Sequence, residues 1–395
     1  MVLTKRQEEG LKIAVARYNS HEPWTAISGY AGSGKSTLIK FIIAALNLDP
    51  EEDVCYVAFT GKAANVLSQK GCPNAITAHK LLYHARQMPT GNYAFTAKKR
   101  LDNSYKVIVV DEVSMLPKPM WELLLSHKVY VLACGDPGQL PPIDKESNNH
   151  VLDNPHIFLD EIMRQAQDSE IIRLSMHIRE GKPLSTFPCQ KEQVQILNRV
   201  DVDPTMYEWA DQVLCATNAK RTEINNIVRQ RRGFGVEPEV GDKIISLKNH
   251  WEWASSSGTW ALTNGSIGTI ELMDKKTIYV PPYISQSAIP IAYTTFTLDD
   301  GDKFEYIPID YNALKNGRPF LEPRQAFLMS KNKSLPEPPF DFTYSYAITT
   351  WKAQGSEWDK VLGFEEWFPN DVETHKRFLY TMITRASKKL VIIQK

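Results

Sequence analysis

The sequence lacks the features that mark disulfide-bonded, secreted and membrane-spanning proteins. Its five cysteines are odd in number and scattered, without the paired spacing of a zinc site or a redox pair, so we expect reduced thiols in the protein core. No run approaches the ~18 apolar residues that a membrane span requires, and the polar N-terminus does not resemble a signal peptide. These absences predict a soluble, intracellular protein.

A net charge is absent as well, because 46 basic residues balance 46 acidic ones. The chain has 395 residues with 43% hydrophobic content, which suffices for about two to four domains with cores of their own. The charges are nevertheless segregated. Residues 215–232 carry five bases and one acid, residues 376–395 carry six bases and no acid, and residues 357–373 carry six acids and one base. Such segregation is typical either of a groove that faces phosphates or of solvated faces.

The most informative segment is residues 29–36, which read Gly-Tyr-Ala-Gly-Ser-Gly-Lys-Ser. An apolar, strand-like run precedes them and a helical pattern follows, which is the context of a genuine phosphate-binding loop. In such a loop, backbone amides and the helix N-terminus surround phosphate oxygens. Lys35 would then contact the β- and γ-phosphates, and the Ser36 hydroxyl would bind Mg²⁺. The sequence therefore predicts binding of a nucleoside triphosphate.

Two acidic residues at the end of an apolar strand complete the predicted hydrolytic site. Asp111 and Glu112 follow Val107–Val110, the position expected for a carboxylate that holds the metal. We assign Asp111 to Mg²⁺ and Glu112 to orienting and deprotonating the attacking water. A third segment, residues 135–142, follows another strand and contains Gln139, which either contacts the γ-phosphate or belongs to an ordinary turn.

The order of strand-like and helical patterns predicts an α/β fold with insertions. We divide the chain into a first α/β domain (1–83 and 107–160), a hairpin insertion (84–106), a second α/β domain (161–233 and 340–395) and an all-β insertion with the texture of a small barrel (234–339). Within the latter we expect separate strands at 266–272 and 276–280, and we expect one strand at 342–348 in the second α/β domain.

The ordered set of motifs resembles the superfamily 1 helicases, in particular their RecD-like, 5′-to-3′ class. The motifs that carry the resemblance lie at 29–36, 58–64, 77–79, 111–114, 135–142, 163–165, 346–355 and 379–386. The resemblance implies two RecA-like P-loop NTPase motor domains, with a pin hairpin inserted in the first and an SH3-like β-barrel inserted in the second. It also implies the cytoplasm of a bacterial or phage-infected cell.

The resemblance also assigns residues at the nucleotide. Arg164 and Arg385 match the arginines that the second motor domain directs at the γ-phosphate, and Gln7 matches an adenine-reading glutamine. Gly355 and Glu357 match nucleotide-contacting positions, with Glu357 near the ribose. Together with the loop itself, the implied ATP-binding residues are Gln7, Gly29, Gly32, Ser33, Gly34, Lys35, Ser36, Thr37, Gly355 and Glu357.

For single-stranded nucleic acid, the resemblance implies contacts from both motor domains. The matching residues are Thr60, Lys62, Thr77, His79, Thr217, Asn218, Thr349, Thr350 and Lys352. Trp351 stands where the family usually has His, and it either stacks on a base or is buried. In the predicted hairpin, Phe95 is a candidate wedge at the first base pair, or a packing residue. Trp251, Trp253 and Trp260 either contact DNA or pack within the β insertion, and packing is favoured.

The combined prediction is a monomeric, ATP- and Mg²⁺-dependent DNA helicase acting on single strands and duplex junctions, with single-strand-binding or replication proteins as further candidate partners. Two alternatives remain open at this point. One is an RNA helicase or RNA-remodelling ATPase of the same superfamily, because phosphate contacts do not discriminate the 2′-OH. The other is a nucleotide-gated binding or loading module that does not separate strands.

Overall fold

The computed structural model of the chain describes residues 3–87, 93–141, 148–163, 168–258, 261–299, 301–317, 319–332, 334–366 and 371–395. Arg164, Trp260 and the predicted hairpin tip at 89–92 lie outside these residues, as do the side chains of Lys62, Phe95 and Trp251. Within the described ranges, every helix is too short or too polar to span a bilayer.

The described chain alternates strands and helices in the first and last thirds and is rich in strands between them. The strands are β1 (Trp24–Gly29), β2 (Val54–Ala58), β3 (Ala75–Thr77), β4 (Tyr83–Gln87), β5 (Tyr93–Ala97), β6 (Val107–Val110), β7 (Tyr130–Gly135), β8 (Ile157–Leu159), β9 (Val194–Asn198), β10 (Gln212–Cys215), β11 (Lys243–Ser246), β12 (His250–Ala254), β13 (Ala261–Leu262), β14 (Ile267–Ile278), β15 (Ile289–Leu298), β16 (Lys303–Asp310), β17 (Phe342–Tyr344), β18 (Ala347–Thr349), β19 (Trp358–Phe364) and β20 (Ala386–Gln394). The α-helices are α1 (Lys5–Asn19), α2 (Lys35–Ala45), α3 (Gly61–Gln69), α4 (Ala78–Leu82), α5 (Lys118–Ser126), α6 (Glu170–Arg179), α7 (Met206–Trp209), α8 (Asn218–Arg231), α9 (Tyr311–Asn316), α10 (Pro323–Lys331) and α11 (Val372–Ile383).

A six-stranded parallel sheet with the order β3-β2-β6-β7-β1-β8 forms the core of the first lobe. Strands β6 and β7 are buried along their whole length, because helices and loops cover both faces of the sheet. Parallel strands end at one common edge, so the phosphate loop (29–36) after β1 and the acids after β6 come to the same side.

A five-stranded parallel sheet with the order β18-β10-β19-β20-β9 forms the core of the second lobe. Helix α11 is buried along its C-terminal half, from Phe378 to Ile383. Its buried residues join a hydrophobic cluster with α6, β9 and β20. This packing presents one side of α11 toward the first lobe, which becomes important at the candidate site.

Two insertions interrupt these lobes. In the first lobe, β4 and β5 form an antiparallel hairpin in which Phe95 pairs with Ala85. In the second, the antiparallel order β16-β15-β14-β11-β17 makes a five-stranded sheet, and a parallel bridge from Ile309 to Phe340 brings its two edges together. This arrangement is that of a small curved sheet, while its assignment as SH3-like stays a prediction.

Three expectations about this insertion and the segment that follows it are wrong. The expected strands at 266–272 and 276–280 are one continuous strand, β14, because its second half is exposed and tolerates the polar residues read as a break. The expected strand at 342–348 divides, since β17 pairs with β11 of the insertion whereas β18 pairs with β10 of the second lobe. The region also contains helices α9 and α10, which its β-rich texture did not indicate.

Candidate active site and nucleic-acid groove

The phosphate loop has a backbone that only its glycines readily adopt. Gly32 and Gly34 have φ values of 78° and 79°, in the left-handed region that favours glycine. A Cβ at Gly34 would lie 2.4 Å from Nε2 of Gln7, so a side chain there would displace the Gln7 amide as well as strain the backbone. The Lys35 ammonium donates to the carbonyls of Gly29 (2.6 Å) and Tyr30 (3.1 Å), which holds it over the loop.

Gln7, on helix α1, hydrogen-bonds to the backbone of the phosphate loop. Its side chain is 1% exposed and its Oε1 accepts a hydrogen bond from the Thr4 amide at 3.0 Å, completing a capping box at the start of α1. Its Nε2 donates to the carbonyls of Ser33 (3.3 Å) and Gly34 (3.4 Å). Both polar atoms of the Gln7 side chain are therefore hydrogen-bonded within the first lobe. The adenine-reading role of Gln7 stays a prediction.

The two acids after β6 lie in a site that disfavours their charge. Burial raises the pKa of both Asp111 and Glu112; the positive charge of Lys35 opposes this at Asp111, and that of Arg385 opposes it at Glu112. Glu112 has a φ of 49° and a ψ of 50°, a left-handed conformation that a non-glycine residue adopts at an energetic cost. The neighbouring Gln139 side chain, as a hydrogen-bond donor, lowers the pKa of Glu112 against the effect of burial. The structure thus groups three of the predicted catalytic side chains.

Arg385 reaches this group from the second lobe. Its Nη1 lies 3.8 Å from Oε1 of Glu112, although the guanidinium is otherwise held inside its own lobe. There it donates to the carbonyls of Thr381 (3.1 Å) and Ser356 (3.1 Å) and to the Thr384 hydroxyl (3.2 Å). The guanidinium is thus buried, fixed in position and directed at an acid of the opposite lobe, while its contact with the γ-phosphate stays a prediction. Arg164 lies outside the described residues.

Two further predicted nucleotide contacts also lie between the lobes. Gly355 has a φ of +73°, and a Cβ there would lie 2.8 Å from Cβ of Ala63 and 3.5 Å from Oε2 of Glu112. Glu357 is exposed and forms an ion pair across the lobes with Lys70, at 3.2 Å. Gly355 therefore borders the cleft that contains Glu112, whereas Glu357 joins the two lobes through Lys70.

Sequence reasoning missed the polar contacts that join the lobes beside this cleft. The Tyr380 hydroxyl accepts from the Ala31 amide (2.9 Å) and donates to Oδ2 of Asp136 (2.7 Å). Next to it, the Leu140 amide donates to the Thr381 hydroxyl (2.9 Å), and Gln354 donates to the Leu140 carbonyl (2.8 Å). The only sequence signal was that these residues fall inside the motifs at 135–142, 346–355 and 379–386.

The donor set near the loop fits a magnesium ion bound with a triphosphate. The part of the chain that the structure describes contains no group of three or more His, Cys, Asp or Glu side chains that would form a protein-only metal cage. Mg²⁺ commonly uses only one or two protein ligands and completes its shell with phosphates and water. The exposed Ser36 hydroxyl and the Asp111 carboxylate supply ligands of that type.

The threonines predicted to contact nucleic acid begin helices. Thr60, Thr77 and Thr217 are the N-caps of α3, α4 and α8, and each hydroxyl accepts a backbone amide three residues later. Thr77 is 5% exposed, so its hydroxyl serves the cap. His79 lies between the rings of Phe59 and Tyr83, and burial lowers its pKa below the ordinary value.

Thr350 does not have the accessible position that the resemblance implies. Its side chain is 0% exposed and its hydroxyl donates to the Cys215 carbonyl at 3.3 Å, so it fastens β18 to β10 instead of facing a groove. Thr349, the preceding residue, is half-buried. Lys352 donates to Oδ1 of Asn264 in the insertion at 2.8 Å, and burial lowers its pKa.

The tryptophans that sequence reasoning left open differ in their surroundings. Trp351 is half-buried and stacked on Phe378 with ring centroids 6.0 Å apart, so one face of it belongs to the core of the second lobe. Trp253 packs edge-on against Phe340 at 5.7 Å within the core of the insertion, as the favoured alternative expected.

An acidic side chain lies where a phosphate is expected on the second lobe. Glu366 Oε1 accepts from the Thr217 amide at 3.2 Å, and its Oε2 accepts from the Thr217 hydroxyl at 2.7 Å. The neighbouring Asn218 is exposed as the first residue of α8. A helix N-terminus attracts anions. The Glu366 carboxylate therefore occupies a position that would also suit a phosphate of a bound nucleic-acid strand.

The fold and the phosphate loop define a P-loop protein of two RecA-like lobes. Residues 3–199 match the AAA domain, and residues 344–393 match the UvrD-like helicase C-terminal domain. The chain is 28% identical over 191 residues to the ATP-dependent DNA helicase Dda of Enterobacteria phage T4 (46% of this chain, 43% of the relative). It is 26% identical over 379 residues to the ATP-dependent RecD2 DNA helicase of Deinococcus radiodurans (91% of this chain, 45% of the relative).

Solved structures agree on the fold. Pif1 of Bacteroides bound to single-stranded DNA superposes with a TM-score of 0.55 at 17% identity, over 99% of this chain and 92% of that chain. The resemblance to superfamily 1 helicases of the RecD-like class, Dda among them, is thereby confirmed. The chain spans less than half the length of the curated relatives named above.

Proposed function

We propose that the chain is an ATP-dependent DNA helicase that moves 5′-to-3′ along a single strand and opens duplex DNA. The observation that carries the proposal is the position of Arg385 of the second lobe, 3.8 Å from Glu112 of the first. An ATP bound at the loop would thus contact both lobes, and its hydrolysis would release one from the other.

Each group at the cleft has a distinct part in hydrolysis. The loop amides and Lys35 bind the triphosphate, and Ser36 and Asp111 would hold Mg²⁺, which when bound neutralises charge on the phosphates. Glu112 orients the attacking water and accepts its proton, assisted by the hydrogen bond from Gln139. Arg385 stabilises the charge that develops on the transferred phosphoryl group, and Arg164 is assigned the same part by the resemblance.

Movement along the strand follows from unequal contacts on the two lobes. Thr60 and His79 belong to the first lobe, whereas Thr217, Thr349 and Lys352 belong to the second. Contacts to phosphate and sugar do not depend on base sequence, which a translocating motor requires. Closing and opening of the cleft then changes the distance along the strand between the contacts of the first lobe and those of the second. The polarity and the choice of DNA are taken from the RecD-like resemblance and from the names of the relatives.

The β4–β5 hairpin is the proposed separating element. It forms a two-stranded sheet separate from the six-stranded sheet of the first lobe, with Phe95 on its second strand. A hairpin at the point where the duplex meets the motor would divide the strands as one of them is drawn in.

The proposal is tested by two assays on the same preparation. ATP hydrolysis is measured alone, with poly-deoxythymidine and with poly-uridine, and strand separation is measured on duplexes with only a 5′ or only a 3′ tail. We expect stimulation by the deoxy polymer and opening of the 5′-tailed duplex. Preferential opening of the 3′-tailed duplex would overturn the polarity, stronger stimulation by poly-uridine would favour RNA, and stimulated hydrolysis with no opening would favour a binding or loading module.

A further inference from the structure

Tyr380 is the one described residue of α11 whose polar atom touches the phosphate loop itself. The residue is 1% exposed, and its ring packs against Gly138, where a Cβ would lie 2.9 Å from Cε1 of the tyrosine. Its hydroxyl accepts from the amide of Ala31 in the loop and donates to the carboxylate of Asp136. Both partners belong to the first lobe, whereas the tyrosine belongs to the second.

This pattern differs from that of a tyrosine buried only for packing. A phenylalanine would bury the same ring, but it would leave the Ala31 amide and one Asp136 oxygen without this partner. Asp136 is 5% exposed and its other oxygen accepts from the Gly138 amide at 2.9 Å, so the carboxylate is held rigidly to receive the hydroxyl. The hydroxyl thus uses its donor and its acceptor function on two separate segments of the opposite lobe.

Those two segments and α11 each lead to a catalytic group. The Asp136 turn continues to Gln139, whose side chain lies beside Glu112 and lowers its pKa. The chain after α11 continues to Arg385, which lies 3.8 Å from the same Glu112. The Ala31 amide belongs to the loop that continues to Lys35. A single hydroxyl therefore connects the segments that supply three of the reaction groups, namely Lys35, Gln139 and Arg385.

We propose that Tyr380 is a positioning residue whose hydroxyl sets the closed arrangement of the lobes in which Arg385 meets Glu112. The inference rests on the proposed function, because it concerns the hydrolytic step of that same site. Without the hydroxyl, the triphosphate still binds to the first lobe through the loop and Lys35. The cleft then spends less time in the arrangement that supports the chemical step, so the rate constant falls whereas ATP affinity is retained.

The test uses Tyr380→Phe and Asp136→Asn, alone and combined, with Tyr344→Phe as the matched control. The Tyr344 hydroxyl is also buried and has no hydrogen-bond partner within the described part of the chain, so its loss removes no such contact. Steady-state ATP hydrolysis with saturating poly-deoxythymidine gives kcat and KM, and thermal unfolding gives the midpoint for each variant.

We expect Tyr380→Phe to lower kcat by about 10-fold with KM for ATP within about threefold, which is the size of one hydrogen bond to a charged partner. Asp136→Asn removes the charge of the acceptor and should act in the same direction. The double variant should lose little more than the worse single one, because both substitutions weaken the same contact. Tyr344→Phe should keep the parent kcat.

The inference is overturned by an unchanged kcat in Tyr380→Phe, whether or not KM rises, and also by losses that multiply in the double variant. The inference is also contradicted if kcat falls together with the unfolding midpoint to the same extent in Tyr380→Phe and in Tyr344→Phe, since this indicates general destabilisation. A parent protein that does not hydrolyse ATP would instead refute the proposed function, so the two failures are distinguishable.

Discussion

The most demanding prediction concerns Arg385→Ala. The guanidinium is buried, lies 3.8 Å from Glu112 and makes three hydrogen bonds inside its own lobe. A cation that stabilises a transferred phosphoryl group accounts for roughly 10³–10⁵ in rate, so we expect kcat for ATP to fall at least ~10³-fold, or about 4 kcal/mol of barrier. ATP binding should change little, since the loop and Lys35 belong to the other lobe.

The same substitution also affects folding, which the assay must separate from chemistry. Removing the guanidinium leaves the Ser356 carbonyl without its donor, at a cost of about 1–3 kcal/mol, whereas the Thr381 carbonyl still accepts from the Thr384 hydroxyl at 3.0 Å. Arg385→Lys keeps the positive charge and most of the volume. One ammonium cannot hold these partners and also face Glu112, so this variant should still lose at least ~10²-fold in kcat while unfolding closer to the parent.

Arg377→Ala, on helix α11 just before Arg385, is the matched control. Its side chain is 35% exposed and pairs with Glu373 at 3.1 Å, so its loss should change kcat by less than about twofold. Steady-state hydrolysis with saturating poly-deoxythymidine and equilibrium binding of a fluorescent ATP analogue are measured for all four proteins. A kcat within about threefold of the parent in both Arg385 variants would refute the assignment.

Three further predictions concern the loop, the hairpin and the groove. Lys35→Ala should abolish hydrolysis and leave most single-strand binding, and equal hydrolysis in mutant and parent would refute the loop assignment. Phe95→Ala should reduce unwinding of a tailed duplex with hydrolysis retained, whereas unchanged unwinding would remove the wedge role. Glu366→Gln should raise single-strand affinity several-fold by removing the carboxylate that bonds to Thr217; an equal or weaker affinity, measured by fluorescence anisotropy at fixed salt, would show that no phosphate competes for that helix end.

Much of the fold is legible in the sequence because the signals involved are local. Glycines at fixed spacing identify the phosphate loop. Short apolar runs bounded by turn residues identify the buried strands β6 and β7. The carboxyl ends of parallel strands then bring the loop and Asp111 together without further information. Local patterns gave a wrong prediction where a strand is exposed to solvent. The polar residues in the exposed half of β14 resemble a break between two strands, although the strand is continuous.

The contacts that the sequence does not reveal are pairings between distant segments. Tyr380 and Asp136 are separated by 244 positions, and Thr217 and Glu366 by 149. Each residue of such a pair has an ordinary local setting, a tyrosine in an amphipathic helix or a glutamate in an acidic run. Thr350 shows the converse, because its motif position suggests an exposed contact whereas the packing of β18 on β10 buries it.

The central claim is that the nucleotide and the nucleic acid act on each other through closure of the lobes. The most direct measurement is the Kd for a fluorescent oligodeoxythymidine without nucleotide and with a saturating, non-hydrolysable ATP analogue and Mg²⁺. Coupling between two sites is typically worth about 1–3 kcal/mol, so we predict a change in Kd of roughly 5- to 150-fold, which Lys35→Ala abolishes. An identical Kd in both states would contradict the account.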